Sequence, residues 1–146
     1  MKLLPKLRVL SNDPGVDLGF ATYTTGDEIG TIKSWQGQYT HDGYIQILNE
    51  YHPDIIVCES FDHRAKDNAN YAPVEFIGLV KWYVERRNTH LFFQTPSYGK
   101  SYFDKEKLEK LGLYVPGKDH VDQMMAVRHM LMFLMKNESF DIRLLK

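Results

Sequence analysis

Residues 7–25 read Leu7-Arg-Val-Leu-Ser-Asn-Asp13-Pro-Gly15-Val-Asp-Leu-Gly19-Phe-Ala-Thr-Tyr-Thr-Thr25. The apolar run Leu7–Asp13 ends against Pro14-Gly15, two residues that favour turns, so a strand is predicted to enter a tight turn there. Gly19–Thr25 and Ile29–Trp35 are both rich in β-branched and aromatic residues. Gly26-Asp27-Glu28 lies between them and predicts a hairpin turn. An antiparallel three-stranded opening follows from these 29 residues (7–35).

Further along, Tyr44, Ile45, Ile47, Leu48 and Tyr51 fall at helical spacing until Pro53-Asp54. Ile55–Cys58 is apolar without alternation, as in a strand buried on both faces. Residues 61–72 are polar and read as a loop. Val74, Ile77, Val80 and Val84 mark a helix with Pro73 at its start. Trp82 and Tyr83 cannot both face the core from it. Leu91–Thr95 is a short strand, Asp104–Leu111 a charged helix stopped by Gly112, and about Asp122 to Lys136 a last helix. That helix holds five of the six methionines, which suit an adaptable buried face. Three strands, helix, strand, helix, strand and helices predict an α/β fold with a mixed five-stranded sheet and helices on both faces.

At 146 residues the chain has the length of a single domain spanning 1–146. Hydrophobic residues at 43% and charged residues at 25% place it among soluble globular proteins. Cys58 cannot form an internal disulfide and sits in an apolar run, which suits a buried thiol in a reducing, cytoplasmic setting. No run approaches the ~18 apolar residues of a membrane span. The N-terminus, broken by Pro5, Lys6 and Arg8, lacks the apolar core of a signal peptide. A net charge of −1 argues against a purely electrostatic DNA coat. That balance pools unlike segments. Residues 1–80 carry 6 basic and 11 acidic side chains, whereas residues 81–118 carry 8 basic and 4 acidic.

Acidic residues stand at strand ends: Asp13 after Arg8-Val-Leu10, and Glu59 after Ile55–Cys58. In open sheets, sites gather at the carboxyl ends of strands. Asp-Pro-Gly is also an ordinary turn, and a strand-end acid is often only a solvated boundary. Asp119-His120-Val121-Asp122 opens the last helix, and two carboxylates three apart in one turn share a face. One could be the N-cap, but a cap explains only one of them. Four converging carboxylates would repel unless a cation held them, and hard oxygen ligands suit magnesium, with manganese able to substitute. Two such ions roughly 3.5–4 Å apart activate a water and stabilise the leaving oxygen of a phosphodiester. Bound ions would also reverse the sign of the net charge, so the grip on DNA should depend on metal.

The segment Leu10-Ser-Asn-Asp-Pro-Gly-Val-Asp-Leu-Gly-Phe-Ala21 resembles the opening strands of RuvC-type Holliday-junction resolvases. Pro53-Asp-Ile-Ile-Val-Cys-Glu-Ser-Phe61 is similar to their fourth strand, which ends in a catalytic glutamate. Asp119-His-Val-Asp122 resembles their closing acidic element. Lys110-Leu-Gly-Leu-Tyr-Val-Pro-Gly-Lys-Asp-His120 resembles the phage-encoded branch of the group. Spanning residues 7 to 136, the resemblance implies a ribonuclease H-like fold and a homodimer that cuts four-way junctions symmetrically with two magnesium ions. It implies a location in the cytoplasm, that of a bacterial host for a phage protein. Asp13, Glu59, Asp119 and Asp122 become the catalytic, metal-binding acids, with Asp13 bridging the ions and His120 an auxiliary. Phe61 stands two places after Glu59, a spacing that differs from the junction-opening aromatic of cellular members, and residues 94–117 also depart from them.

Candidate DNA contacts are Phe61, His63, Arg64 and Lys66 in the loop after Glu59, with Lys100 and Lys118 in loops near the site. A polar surface loop has the same composition. Lys105–Lys110 fits a solvated helix in which Glu106 and Lys110 pair. Arg128 lies one and a half turns into the last helix, facing the acids or solvent. Rival readings are a nuclease of the same fold acting on structured RNA, a module that binds branched DNA without cutting, and an actin- or sugar-kinase-like nucleotide binder. The last would need a second lobe. A pure binder gains nothing from repelling acids at a phosphate site.

Overall fold

A computed structural model describes residues 5–15, 17–60, 72–96, 98 and 102–137. Its strands are β1 (Arg8–Pro14), β2 (Leu18–Thr24), β3 (Lys33–Gly37), β4 (Ile55–Glu59) and β5 (His90–Gln94). Its α-helices are α1 (His41–Tyr51), α2 (Ala72–Arg86), α3 (Lys105–Lys110) and α4 (Val121–Lys136), with 3-10 turns at Ile29–Thr31 and Lys118–His120. The five-stranded sheet has the order β3-β2-β1-β4-β5. β2 pairs antiparallel with β1 and β3, while β4 runs parallel to both β1 and β5.

Alternation along β1 and β4 sorts two cores onto the two faces of the sheet. Val9, Ile55 and Val57 pack with Met124, Val127, Met130 and Leu134 of α4. Leu10, Ile56 and Cys58 pack on the other face with Tyr44 and Leu48 of α1 and Val80 and Tyr83 of α2. Both strands are thus covered twice, which is why Ile55–Cys58 shows no alternation. Tyr83 is buried and Trp82 is 45% exposed, which resolves which of the two faces inward. Among the described residues no helix is long and apolar enough to cross a membrane.

The hairpin differs from the sequence reading. Ile29–Thr31 is a 3-10 turn, closed by the Thr31 hydroxyl donating to the Glu28 carbonyl at 2.6 Å, and β3 begins only at Lys33. Ile29 and Ile32 are buried in the α4-side core, so their apolar character serves packing rather than strand pairing. In α3 the ion pair is Lys105 with Glu109 at 3.8 Å rather than Glu106 with Lys110. Asp104 caps that helix by accepting from the Lys107 amide at 3.0 Å.

One buried polar contact ties the α1-side core to β1. Asn12 is fully buried; its Nδ2 donates to the Tyr44 hydroxyl at 2.8 Å and to Cys58 Sγ at 3.6 Å. Its Oδ1 has no partner among the described residues. Tyr44→Phe would leave the amide with only the weak sulfur acceptor. A cost of about 1–3 kcal/mol is expected, seen as a fall of about 3–10 °C in melting temperature.

Candidate active site

The period of two that builds the α4-side core also aims the acids. Val9, Ser11 and Asp13 share one face of β1, and the Ser11 hydroxyl donates to the Ala126 carbonyl of α4 at 2.7 Å. Asn12 is in register with Cys58, so Asp13 and Glu59 are the next neighbours along this parallel pair. The start of α4 crosses β2 at Gly19. A Cβ there would lie 2.0 Å from the Asp122 backbone oxygen, and one at Gly15 would lie 2.3 Å from Asp122 Oδ1. Two glycines therefore let the Asp122 carboxylate close on β1. Asp122 Oδ2 accepts from the Asp17 amide at 3.2 Å.

Asp13 is the deepest of the three at 2% exposure. Burial, then a hydrogen bond to Glu59 and the charges of Glu59 and Asp122, push its carboxyl up to about 10. Asp122 is also raised, chiefly by burial, with the Asp17 amide and the Asp13 hydrogen bond working against the shift. Asp13 Oδ1 is buried and has no partner among the described residues. Among those residues no three His, Cys, Asp or Glu side chains are closed around a single ion position. The carboxylates instead hydrogen-bond one another, with Asp13 linked to Glu59 and Asp122. An unsatisfied buried oxygen between two more acids is a donor set that fits a hard divalent cation, which would take the place of the shared protons.

The fourth predicted acid sits differently. α4 begins at Val121, so Asp119 falls in the preceding 3-10 turn and is exposed, as is Lys118. Neither aspartate caps α4: His120 holds the N-cap position without a side-chain cap bond. The His120 ring meets Gln123 Oε1 through Nδ1 at 2.8 Å. Arg128 donates from Nε to the Phe103 carbonyl at 2.7 Å and is half-buried there. Phe61, His63, Arg64, Lys66 and Lys100 lie outside the described residues.

Several polar residues of the site were not anticipated. His129 is fully buried, and its Nε2 meets Glu59 Oε1 at 3.0 Å while Nδ1 meets Gln94 Oε1 at 2.6 Å. Gln94 Nε2 donates in turn to the His129 carbonyl at 3.2 Å. The readable signal was spacing, because His129 follows Asp122 by seven residues, about two helical turns. On the opposite side, Gln36 donates to Asp17 Oδ2 at 3.2 Å and accepts the Gln123 amide at 2.8 Å. Gln123 Nε2 donates to Ser34 Oγ at 2.8 Å, so the first turn of α4 is fastened to β3. No local pattern announces those glutamines.

No family model matches the chain, and no curated protein matches it by sequence. Solved structures do match by shape. T. thermophilus RuvC in complex with a Holliday junction substrate superposes with a TM-score of 0.60 at 16% identity, covering 89% of this chain and 96% of that one. The fowlpox virus Holliday junction resolvase gives 0.59 at 18% identity, with 89% and 99% covered. The yeast mitochondrial Holliday junction resolvase Ydc2 gives 0.56 at 12% identity, with 92% and 83% covered. Sheet order, helices on both faces and these near full-length superpositions agree: the chain has the ribonuclease H-like fold of the RuvC-type resolvases.

Proposed function

We propose that this protein is a divalent-metal-dependent endonuclease that resolves Holliday junctions and other branched DNA. The observation that carries the reading is the buried Asp13 carboxylate held against Glu59 and Asp122 on a fold shared with resolvases. Such a cluster costs stability without a cation, so its retention is understandable in a site that binds one. Asp13 would lie deepest, with Glu59 and Asp122 beside it and Asp119 closing the set from the rim. Magnesium fits these oxygen donors best, with manganese the substitute. When bound, two such ions supply the charge that activates an attacking water and stabilises the departing oxygen.

His120 and Lys118 belong to the 3-10 turn that precedes α4, and a ring nitrogen and an ammonium there would suit a phosphate. Beyond Gln94 a recess of about 330 Å³ is lined by Phe92, Phe93, Tyr98 and Phe133. Its aromatic walls suit a base unstacked at a branch point. Val74, Gly78 and Trp82 lie four apart on the outer face of α2, with Val74 43% exposed and open space around Gly78. That stripe supports a homodimer, whose two-fold axis matches two symmetric cuts. DNA as substrate and the buried free thiol of Cys58 fit a cytoplasmic protein, in a bacterial host if phage-encoded.

The test incubates purified protein with labelled four-way junction, flap, duplex and structured RNA, with and without magnesium. Paired nicks on the junction, only with magnesium, are expected. Glu59→Gln should slow cutting by about 10³-fold while junction binding persists in a gel-shift assay. Cutting of RNA alone would transfer the site to the RNA-processing reading. Binding without any cutting would leave a structural module.

A further inference from the structure

We propose that β5 is a docking strand for another protein: an extended acidic segment pairs with its outer edge and anchors an aromatic side chain in the recess beside it. β5 is the last strand of the sheet, and among the described residues nothing pairs with its outer side. The His90 amide donates to the Asp54 carbonyl at 3.0 Å, and the Gln94 carbonyl accepts from the Ser60 amide at 2.8 Å. In a parallel pair, alternate residues turn both backbone groups to the same neighbour. His90, Phe92 and Gln94 therefore serve β4, while Leu91 and Phe93 each point an N–H and a C=O off the sheet.

Edges of this kind are ordinarily blunted by lysine, proline or a covering element. His90-Leu-Phe-Phe-Gln94 holds neither residue, and none of its side chains is buried. Phe92 is 37% and Phe93 42% exposed, on opposite faces of the strand. Phe92 packs on Phe133 of α4 with ring centroids 5.1 Å apart, and the Lys81 ammonium of α2 lies 5.6 Å from the Phe93 ring. An added strand sends its own side chains alternately to both faces, so it meets one phenylalanine on each. On the α4 side the recess of about 330 Å³ has room for a phenyl ring, with Tyr98, Phe133 and Lys136 among its walls. Lys81 on one face and Lys136 on the other are exposed cations that carboxylates complement, so the segment is acidic. A polynucleotide meets the same charges but has no repeat of N–H and C=O to pair with Leu91 and Phe93, which favours a peptide. A flat base and an aromatic side chain would compete for the recess.

The experiment titrates the full chain with a fluorescein-labelled peptide, Asp-Glu-Phe-Val-Phe-Glu-Asp, read by fluorescence anisotropy and by amide hydrogen exchange. In the chain alone the Leu91 and Phe93 amides should exchange fast and those of Phe92 and Gln94 slowly. Saturating peptide should slow the first pair by about tenfold or more. Phe93→Ala should weaken binding about tenfold. Phe93→Pro removes the same ring and also the outward N–H, leaving the ladder to β4 whole. A further loss of about threefold is expected from it. A peptide with the four acids replaced by lysine should bind at least about tenfold more weakly. Slow exchange of Leu91 and Phe93 in the chain alone would overturn the proposal, because the edge would already be paired. Absence of peptide binding would overturn it, as would binding that leaves those amides unprotected or equal binding by the two peptides. So would a four-way junction that protects both amides where the peptide does not, since the edge would then belong to DNA. Every arm is run without metal, so the endonuclease reading stands or falls separately.

Discussion

Asp13→Asn is expected to abolish junction cutting and, in metal-free buffer at alkaline pH, to make the protein more stable. The first effect follows from removing the deepest proposed ligand, and about 10³-fold or more of rate should go with it. The second follows from linkage. The Asp13 carboxyl is raised from 3.8 in the unfolded chain to about 10 in the fold, with burial the largest cause and Glu59 the next. Between those values the folded state holds a proton that the unfolded state has released. Stability is therefore intact below about pH 4 and falls as pH rises toward 10, by up to ~1.4 kcal/mol per pH unit. Asparagine carries no such proton and removes the slope. Melting in EDTA from pH 5 to 9 should show wild type falling steadily across that whole range and the variant nearly level. Magnesium should raise the wild-type curve at pH 8 and leave the variant's unchanged. A wild-type melting temperature independent of pH would mean that Asp13 is not held protonated.

The second large effect is steric. Gly19→Ala places a methyl group 2.0 Å from the Asp122 carbonyl oxygen and 2.7 Å from the Gln123 nitrogen. Both atoms are backbone, so the first turn of α4 must move as a unit. Overpacking of this kind costs about 1–3 kcal/mol, and a displacement near 1 Å should cost about 100-fold in cutting. Gly15→Ala is the informative companion. The three atoms nearest its methyl group would all belong to the Asp122 carboxylate, at 2.3–2.8 Å, a side chain that can swing aside. Activity should fall about as far while the melting temperature stays within ~2 °C. Wild-type cutting by Gly15→Ala would show that Asp122 takes no part in the reaction.

These two glycines also show what was legible beforehand. The strand ends at Asp13 and Glu59 could be read because β1 and β4 are apolar runs stopped by polar residues, and parallel register then joins the two acids. The spacing of Asp119 and Asp122 suggested one helical turn. The 3-10 turn Lys118–His120 takes in Asp119, and α4 begins only at Val121, so only Asp122 rides on α4. Ile29–Thr31 misled for a different reason: β-branched residues that plug a core look like strand residues until their pairing partners are known. Gln94 and His129 stand 35 positions apart and meet only through the sheet and α4. No local propensity encodes such a contact.

The Ser11 hydroxyl bond to the Ala126 carbonyl spans 115 positions of chain, and it sits between the helix positions that carry Asp122 and His129. A polypeptide emerging from the ribosome in order can assemble β1 to β5 before any of α4 exists. Asp13 and Glu59 are then in place, but the last acid and the histidine are not. Docking of α4 is the late, long-range closure that topology makes slow. The proposed nuclease activity should therefore arrive in one step, after synthesis of the fourth helix, and the unfinished chain should lack it.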